Sequence, residues 1–217
     1  MLHGGSAAVA GGASGIGEAI ARKLADDGAA VTIGEIGRRV PRIVDEILAR
    51  GVRVEFIRTD LTDEPSVRGL MEGTARTFGG LDILVANAGI PGVETPLHEF
   101  DMLNSQRVID VDLTGVAICN TWAAGTILAC RREVADPRTA SMINTASILA
   151  HVDQANSNPY SAAKAAAANF TRSAALTYAR EGIRFNESAN AVPFLSSDAS
   201  CALTGSVVNA DGGYTSG

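Results

Sequence analysis

The stretch Ala7-Ala8-Val9-Ala10-Gly11-Gly12-Ala13-Ser14-Gly15-Ile16-Gly17 joins a short apolar run to a glycine-rich turn, and the helical pattern Glu18 to Asp27 follows at once. A strand, a glycine turn and a helix in that order form the first half of a dinucleotide-binding unit. Glycines let the backbone turn tightly and let a pyrophosphate approach the helix N-terminus. There, free N–H groups and the helix dipole favour an anion. Gly11, Ser14, Gly15, Ile16 and Gly17 are therefore candidate dinucleotide contacts. A glycine-rich run alone is also what a flexible loop looks like; its place between strand and helix favours the first reading.

Working outward, Val31-Thr32-Ile33-Gly34 reads as a second strand, with Glu35 at its end and Ile36 beside it. An acidic residue about 20 positions after the glycine turn sits where a carboxylate meets the adenosine ribose. It would accept both ribose hydroxyls of NAD and repel the 2′-phosphate of NADP. Arg38 and Arg39 follow and would offset part of that repulsion. A helix is predicted from about Arg39 to Arg50 and a strand from Val52 to Arg58, with Asp60-Leu61 beyond its end. Another helix is predicted from Glu64 to Phe78, Pro65 suiting its first turn. Ile83 to Ala86 is a fourth strand, broken by Asn87-Ala88-Gly89. A long helix is predicted from Leu103 to Cys130, kinked near Asp112 or Gly115. Ser141 to Ala146 is a fifth strand, ending at Ser147. A helix containing Tyr160 runs to Glu181, where Gly182 closes it. Ile183 to Asn186 starts a sixth strand, Glu187 to Leu195 reads as a short helix, and Gly205 to Asn209 reads as a last strand before Asp211-Gly212-Gly213.

Strands that are apolar throughout and alternate with helices imply a parallel sheet covered on both faces. The expected fold is a doubly wound α/β sheet of three layers. No repeat or low-complexity linker interrupts residues 1–217, so one domain is expected. Ligands of such sheets bind beyond the strand C-terminal ends. Gly11, Glu35, Asp60, Asn87 and Ser147 all fall there.

The 217 residues are 46% hydrophobic and 19% charged, a globular composition. A formal charge of −6 offers no footprint for nucleic acid. No apolar run approaches the length of a membrane span, and the N-terminus carries no basic flank before an apolar stretch, so neither membrane nor signal peptide is expected. Cys119, Cys130 and Cys201 form no metal-binding or redox pair, and His3, His98 and His151 show no ligand pattern. A cytoplasmic protein without a structural metal is expected.

Tyr160 and Lys164 stand one helical turn apart, and the alanine-rich run Ala162 to Ala168 supports the helix beneath them. Free tyrosine, with its pKa near ~10, is a poor proton shuttle at neutral pH. A nearby ammonium favours the phenolate, so the phenol can exchange a proton with a carbonyl or alcohol oxygen. Ser147 can hydrogen-bond the same oxygen. Tyr-x-x-x-Lys also occurs on many helices as surface decoration, so the pair needs its context.

That context resembles the short-chain dehydrogenase/reductase family, in its compact single-domain branch, over nearly the whole chain. The family's Thr-Gly-x-x-x-Gly-x-Gly matches Ala10 to Gly17 with alanine for threonine, and its Asn-Asn-Ala-Gly matches Ala86-Asn87-Ala88-Gly89 with the first asparagine lost. Ser147, Tyr160 and Lys164 match its serine and Tyr-x-x-x-Lys, and Asp211-Gly212-Gly213 its ending. The resemblance implies a nicotinamide oxidoreductase acting on a secondary alcohol or ketone. Tyr160 would be the general acid or base, Lys164 would lower its pKa and hold the nicotinamide ribose, and Ser147 would orient the substrate. Asp60 and Leu61 would lie against the adenine, and Asn87, Ala88 and Gly89 along the adenosine ribose. NAD is expected before NADP. The substrate-facing loop with His151, Asp153, Gln154 and Asn156 would suit a polyol or sugar. A homotetramer or homodimer is implied.

Two departures stand out. Val111-Asp112-Leu113-Thr114-Gly115 carries aspartate where the family has asparagine, making Asp112 a candidate site residue that could pair with Lys164. After Asn186 the family continues with a Pro-Gly turn and a substrate lid, which this sequence lacks between Asn186 and Glu187. A lid omitted from the sequence is preferred over a chain that naturally lacks one. An NADPH-dependent biosynthetic ketoreductase and a catalytically silent nucleotide-binding module stay open as alternatives.

Overall fold

A computed structural model describes residues 2, 4–37, 42–134, 139–152, 154–188 and 191–208. Its sheet contains β1 (Ser6–Ala10), β2 (Ala30–Glu35), β3 (Val54–Arg58), β4 (Ile83–Ala86), β5 (Ala140–Asn144) and β6 (Ile183–Glu187). All neighbours pair parallel, in the order β3-β2-β1-β4-β5-β6. The order reverses between β1 and β4, which opens a crevice at their C-terminal ends.

Period-two alternation divides the core into two halves. Ala7 and Val9 face the helices α1 (Gly15–Asp26), α2 (Arg42–Leu48) and α7 (Val192–Ser196), packing with Leu24, Ile43, Ile47 and Leu195. Ala8 and Ala10 face α3 (Glu64–Phe78), α5 (Val116–Val134) and α6 (Asn158–Tyr178), packing with Leu70, Met71, Ile127 and Phe185. The three-layer doubly wound α/β fold expected from the sequence is the one formed.

Local chemistry sets the element ends. Pro65 lies in the first turn of α3, and Gly79 takes the left-handed conformation at its C-terminal end, φ 86°. The long helix expected around Asp112 is α4 (Met102–Ile109) continued into α5 through a π-helical turn, Asp110–Gly115. Such turns add a residue to the helical ring and often mark functional positions. Contrary to the sequence reading, the stretch Met102–Arg132 is long and apolar enough to cross a membrane by length and composition. Val108, Val116, Cys119, Ala123, Ala124 and Ile127 along it are instead buried in the core.

Several boundaries differ from expectation. The third strand starts at Val54 rather than Val52. Glu187 does not begin a helix: it ends β6, paired with Asn144 of β5, and the helix starts at Val192. Parallel pairing beside a completed β5 overrides the helical pattern of the sequence. The last strand is, among the described residues, a single bridge from Val207 to Glu187. Arg38, Arg39, Asp153, Asn209 and Asp211-Gly212-Gly213 lie outside the described residues, as does the predicted start of α2 at Arg39.

Candidate active site

The glycine turn is built for close approach. Gly11 has φ 74°, and a Cβ there would lie 2.7 Å from the Ala88 backbone. A Cβ on Gly17 would lie 1.9 Å from the Gly11 carbonyl oxygen, which fixes glycine at that helix position. Asn87 holds the turn from the neighbouring strand, its Nδ2 donating to the Gly11 carbonyl at 3.0 Å. Ser14 and Gly15 stay exposed at the start of α1, and Ile16 is 49% exposed. This leaves backbone N–H groups open toward the crevice.

Beside the turn lies a cavity of about 190 Å³ lined by Gly11, Glu35, Ile36, Asp60, Leu61, Ala88 and Gly89, together with Gly34, Thr59, Ile90 and Val111. The structure thus gathers seven of the candidate dinucleotide residues around one space. Glu35 turns its Oε1 onto the Ile36 N–H at 2.9 Å. Asp60 accepts from the Thr62 N–H and hydroxyl at 2.9 and 2.7 Å. Those bonds hold its carboxyl below the usual carboxylate range. A crevice that excludes side chains at Gly11 and Gly17 and opens onto Glu35 and Asp60 fits a dinucleotide.

Ser147, Tyr160, Lys164 and Asp112 converge from β5, α6 and the π turn. The Ser147 hydroxyl lies beside the Tyr160 phenol, close enough to favour its ionised form, and its Oγ accepts the Leu149 N–H at 3.2 Å. The Lys164 ammonium lies 5.6 Å from the centre of the Tyr160 ring. It donates to the Thr145 carbonyl at 3.1 Å and stands 4.0 Å from Asp112 Oδ2. Asp112 Oδ1 accepts the Ile90 N–H at 2.8 Å.

The electrostatics differ from the sequence expectation. Burial pushes the Tyr160 phenol above its ordinary value; the Ser147 hydroxyl pulls it down and the Asp112 charge pushes it further up. Lys164 does not bring the phenol below the ordinary range here. Its ammonium is directed to Thr145 and Asp112, and burial dominates. Lys164 itself is pushed down by burial, against Asp112 and Glu187. Burial likewise pushes Asp112 up, against Lys164 and the Ile90 N–H.

Sequence reasoning missed two participants. Thr145 ties the site together: its hydroxyl donates to Asn87 Oδ1 at 3.1 Å while its carbonyl takes Lys164. A threonine at a strand end reads simply as a β-former. Glu187, 1% exposed at the end of β6, is pushed up to about 7 by burial, with Arg172 and Lys164 opposing. In the substrate-facing loop, Gln154 donates to Glu94 at 2.7 Å, and the Thr95 N–H donates to the Asn156 carbonyl at 3.2 Å. His151, Gln154 and Asn156 are exposed there.

The family model for short chain dehydrogenases matches residues 6–192. The chain belongs to the short-chain dehydrogenase family. Membership makes it an oxidoreductase of CH–OH groups that uses a nicotinamide cofactor. This short-chain dehydrogenase is 42% identical to a cis-4-hydroxycyclohexanecarboxylate dehydrogenase of Sinomonas cyclohexanicum, over 96% of each chain. It is 30% identical to a cyclohexanol dehydrogenase of Acinetobacter sp. strain SE19, over 97% of this chain and 94% of that one. A Burkholderia cenocepacia J2315 short chain dehydrogenase crystallised with NADP superposes with a TM-score of 0.87 at 28% identity, covering 97% of this chain and 98% of the other. The alignment to the Sinomonas enzyme extends over 245 positions, more than the 217 residues here, so that relative carries residues without counterpart in this chain.

Proposed function

We propose that this short-chain dehydrogenase transfers a hydride between NAD and a secondary alcohol or ketone on a six-membered carbocycle. The arrangement that carries the reading is Ser147 beside Tyr160, with buried Lys164 one turn behind and the glycine crevice alongside. The ring-alcohol substrate is supported by the activities named for the Sinomonas and Acinetobacter relatives; it takes the place of the polyol or sugar suggested by the loop composition.

In this reading Gly11, Ser14, Gly15, Ile16 and Gly17 hold the pyrophosphate, Glu35 and Ile36 the adenosine ribose, and Asp60 and Leu61 the adenine. Asn87, Ala88 and Gly89 follow the adenosine side, and Lys164 reaches the second ribose. The nicotinamide, when bound, accepts the hydride from the carbinol carbon. Tyr160 Oη takes the hydroxyl proton during oxidation and returns it during reduction. The Ser147 hydroxyl donates to the same substrate oxygen and orients it. A phenol held up by burial is a proton donor at neutral pH, so oxidation is expected to gain rate toward alkaline pH. Cyclohexanol and 4-hydroxycyclohexanecarboxylate, assayed with NAD and with NADP for nicotinamide reduction, test the assignment; no reduction with either cofactor would reject it.

Glu35 supports NAD, because its carboxylate would face the 2′-phosphate of NADP. An NADPH-dependent ketoreductase is the competing assignment, and relative affinities for the two reduced cofactors decide between them. Residues 1–217 are read as one domain working as a cytoplasmic homotetramer or homodimer, with the substrate lid missing at the Asn186–Glu187 junction. The longer alignment to the Sinomonas enzyme supports the missing segment. It also motivates the silent-module alternative, which cofactor binding without turnover across the ring-alcohol panel would favour.

A further inference from the structure

Asp112 is fully buried in the π turn, and its two oxygens have different surroundings. Oδ1 accepts the Ile90 N–H at 2.8 Å, a bond that an asparagine amide oxygen would make equally well. Oδ2 has no hydrogen-bond partner among the described residues and lies 4.0 Å from the Lys164 ammonium. Hydrogen bonding therefore does not require an acid here. What the acid adds is charge, in a place where water screens it little.

The charged groups around this point come from three elements. Lys164 and Tyr160 face it from α6, the ammonium 5.6 Å from the phenol ring. Glu187 faces Lys164 from the end of β6, and Arg172 of α6 in turn faces Glu187. Thr145 at the end of β5 contributes a carbonyl dipole at 3.1 Å from Lys164. One ammonium is thus set among two buried carboxylates and a phenol.

We propose that Asp112 is a positioning residue that counterbalances Lys164, holding the ammonium against Thr145 and drawing its charge away from the Tyr160 phenol. The direction of the Tyr160 shift agrees, since Asp112 is among the groups that raise it. In chemical terms, the aspartate keeps Tyr160 protonated, ready to donate to a ketone oxygen. Alcohol oxidation, which needs the phenolate, is displaced to alkaline pH. The proposal rests on Tyr160 as the acid/base, but its first readout needs no turnover.

The ultraviolet absorbance of tyrosinate, titrated against pH with Tyr160→Phe as the subtraction, reports Tyr160 directly. Asp112→Asn keeps the Ile90 bond and removes the charge; its midpoint is expected to fall by about one pH unit. Asp112→Ala should show a similar fall together with a lower melting temperature, because Ile90 loses its acceptor. Lys164→Met should move the midpoint upward. An unchanged or raised midpoint in Asp112→Asn overturns the proposal, and so does a lowered one in Lys164→Met should the first variant fail to fold. The pH profile of kcat/KM for ring-alcohol oxidation should follow the midpoint. A shifted midpoint with no turnover in any variant would support the charge balance while rejecting the oxidoreductase assignment.

Discussion

Replacing Glu187 by glutamine should stabilise the protein, by an amount that grows from about pH 4.5 and is complete above about pH 7. Glu187 is 1% exposed, its Oε2 has no hydrogen-bond partner among the described residues, and burial raises its pKa from the ordinary 4.5 to about 7. Below pH 4.5 the group is protonated in both folded and unfolded chains and contributes no pH dependence. Between 4.5 and 7 the unfolded chain loses the proton and the folded chain keeps it, so stability falls as pH rises. Above 7 both states are ionised and the loss is complete. At about 1.4 kcal/mol per pH unit the full loss is about 3 kcal/mol. Glutamine has the same shape and no charge. Its melting temperature at pH 8 should exceed the parent's by roughly 6–12 °C for a domain of this size. At pH 5 the gap should shrink below about 1 kcal/mol. Thermal melts by circular dichroism at the two pH values make the comparison. A gap that is the same at both, or a parent more stable at pH 8, would refute the electrostatic reasoning.

Two other substitutions probe the crevice. Gly17→Ala places a methyl 1.9 Å from the Gly11 carbonyl oxygen, so it should lose about 1–3 kcal/mol of stability and most cofactor affinity, measured by melting and nucleotide titration. A cofactor affinity equal to the parent's would mean the turn does not face the nucleotide. Glu35→Ala should raise NADPH affinity relative to NADH by about tenfold, through loss of like-charge repulsion; an unchanged ratio would remove Glu35 from the ribose site.

The parts of the fold carried by local pattern were legible in the sequence. Four-residue apolar runs such as Ile83 to Ala86 announce buried parallel strands, and glycines at Gly11 and Gly17 announce a backbone that must approach something closely. The order of elements then placed Glu35, Asp60, Asn87 and Ser147 at one edge of the sheet. What depended on distant partners was not legible. Glu187 sits in a helical-looking stretch, yet pairing with Asn144 of β5 makes it the end of a strand and buries its carboxylate. Thr145 carries no signal of its own, because its role comes from Asn87 and Lys164 lying on either side. Asp112 was visible as a departure from its family. That one of its oxygens would be satisfied by Ile90 and the other left to Lys164 required the π turn to be seen.

The proposed proton transfer by Tyr160 is the step on which the proposed catalysis depends, and Tyr160→Phe isolates it, since phenylalanine keeps the ring and removes only the hydroxyl. With a cyclohexanol substrate, turnover should drop by about a hundredfold to ten-thousandfold while NADH affinity stays within about threefold of the parent's. Turnover that survives the substitution at the parent's rate would contradict the account.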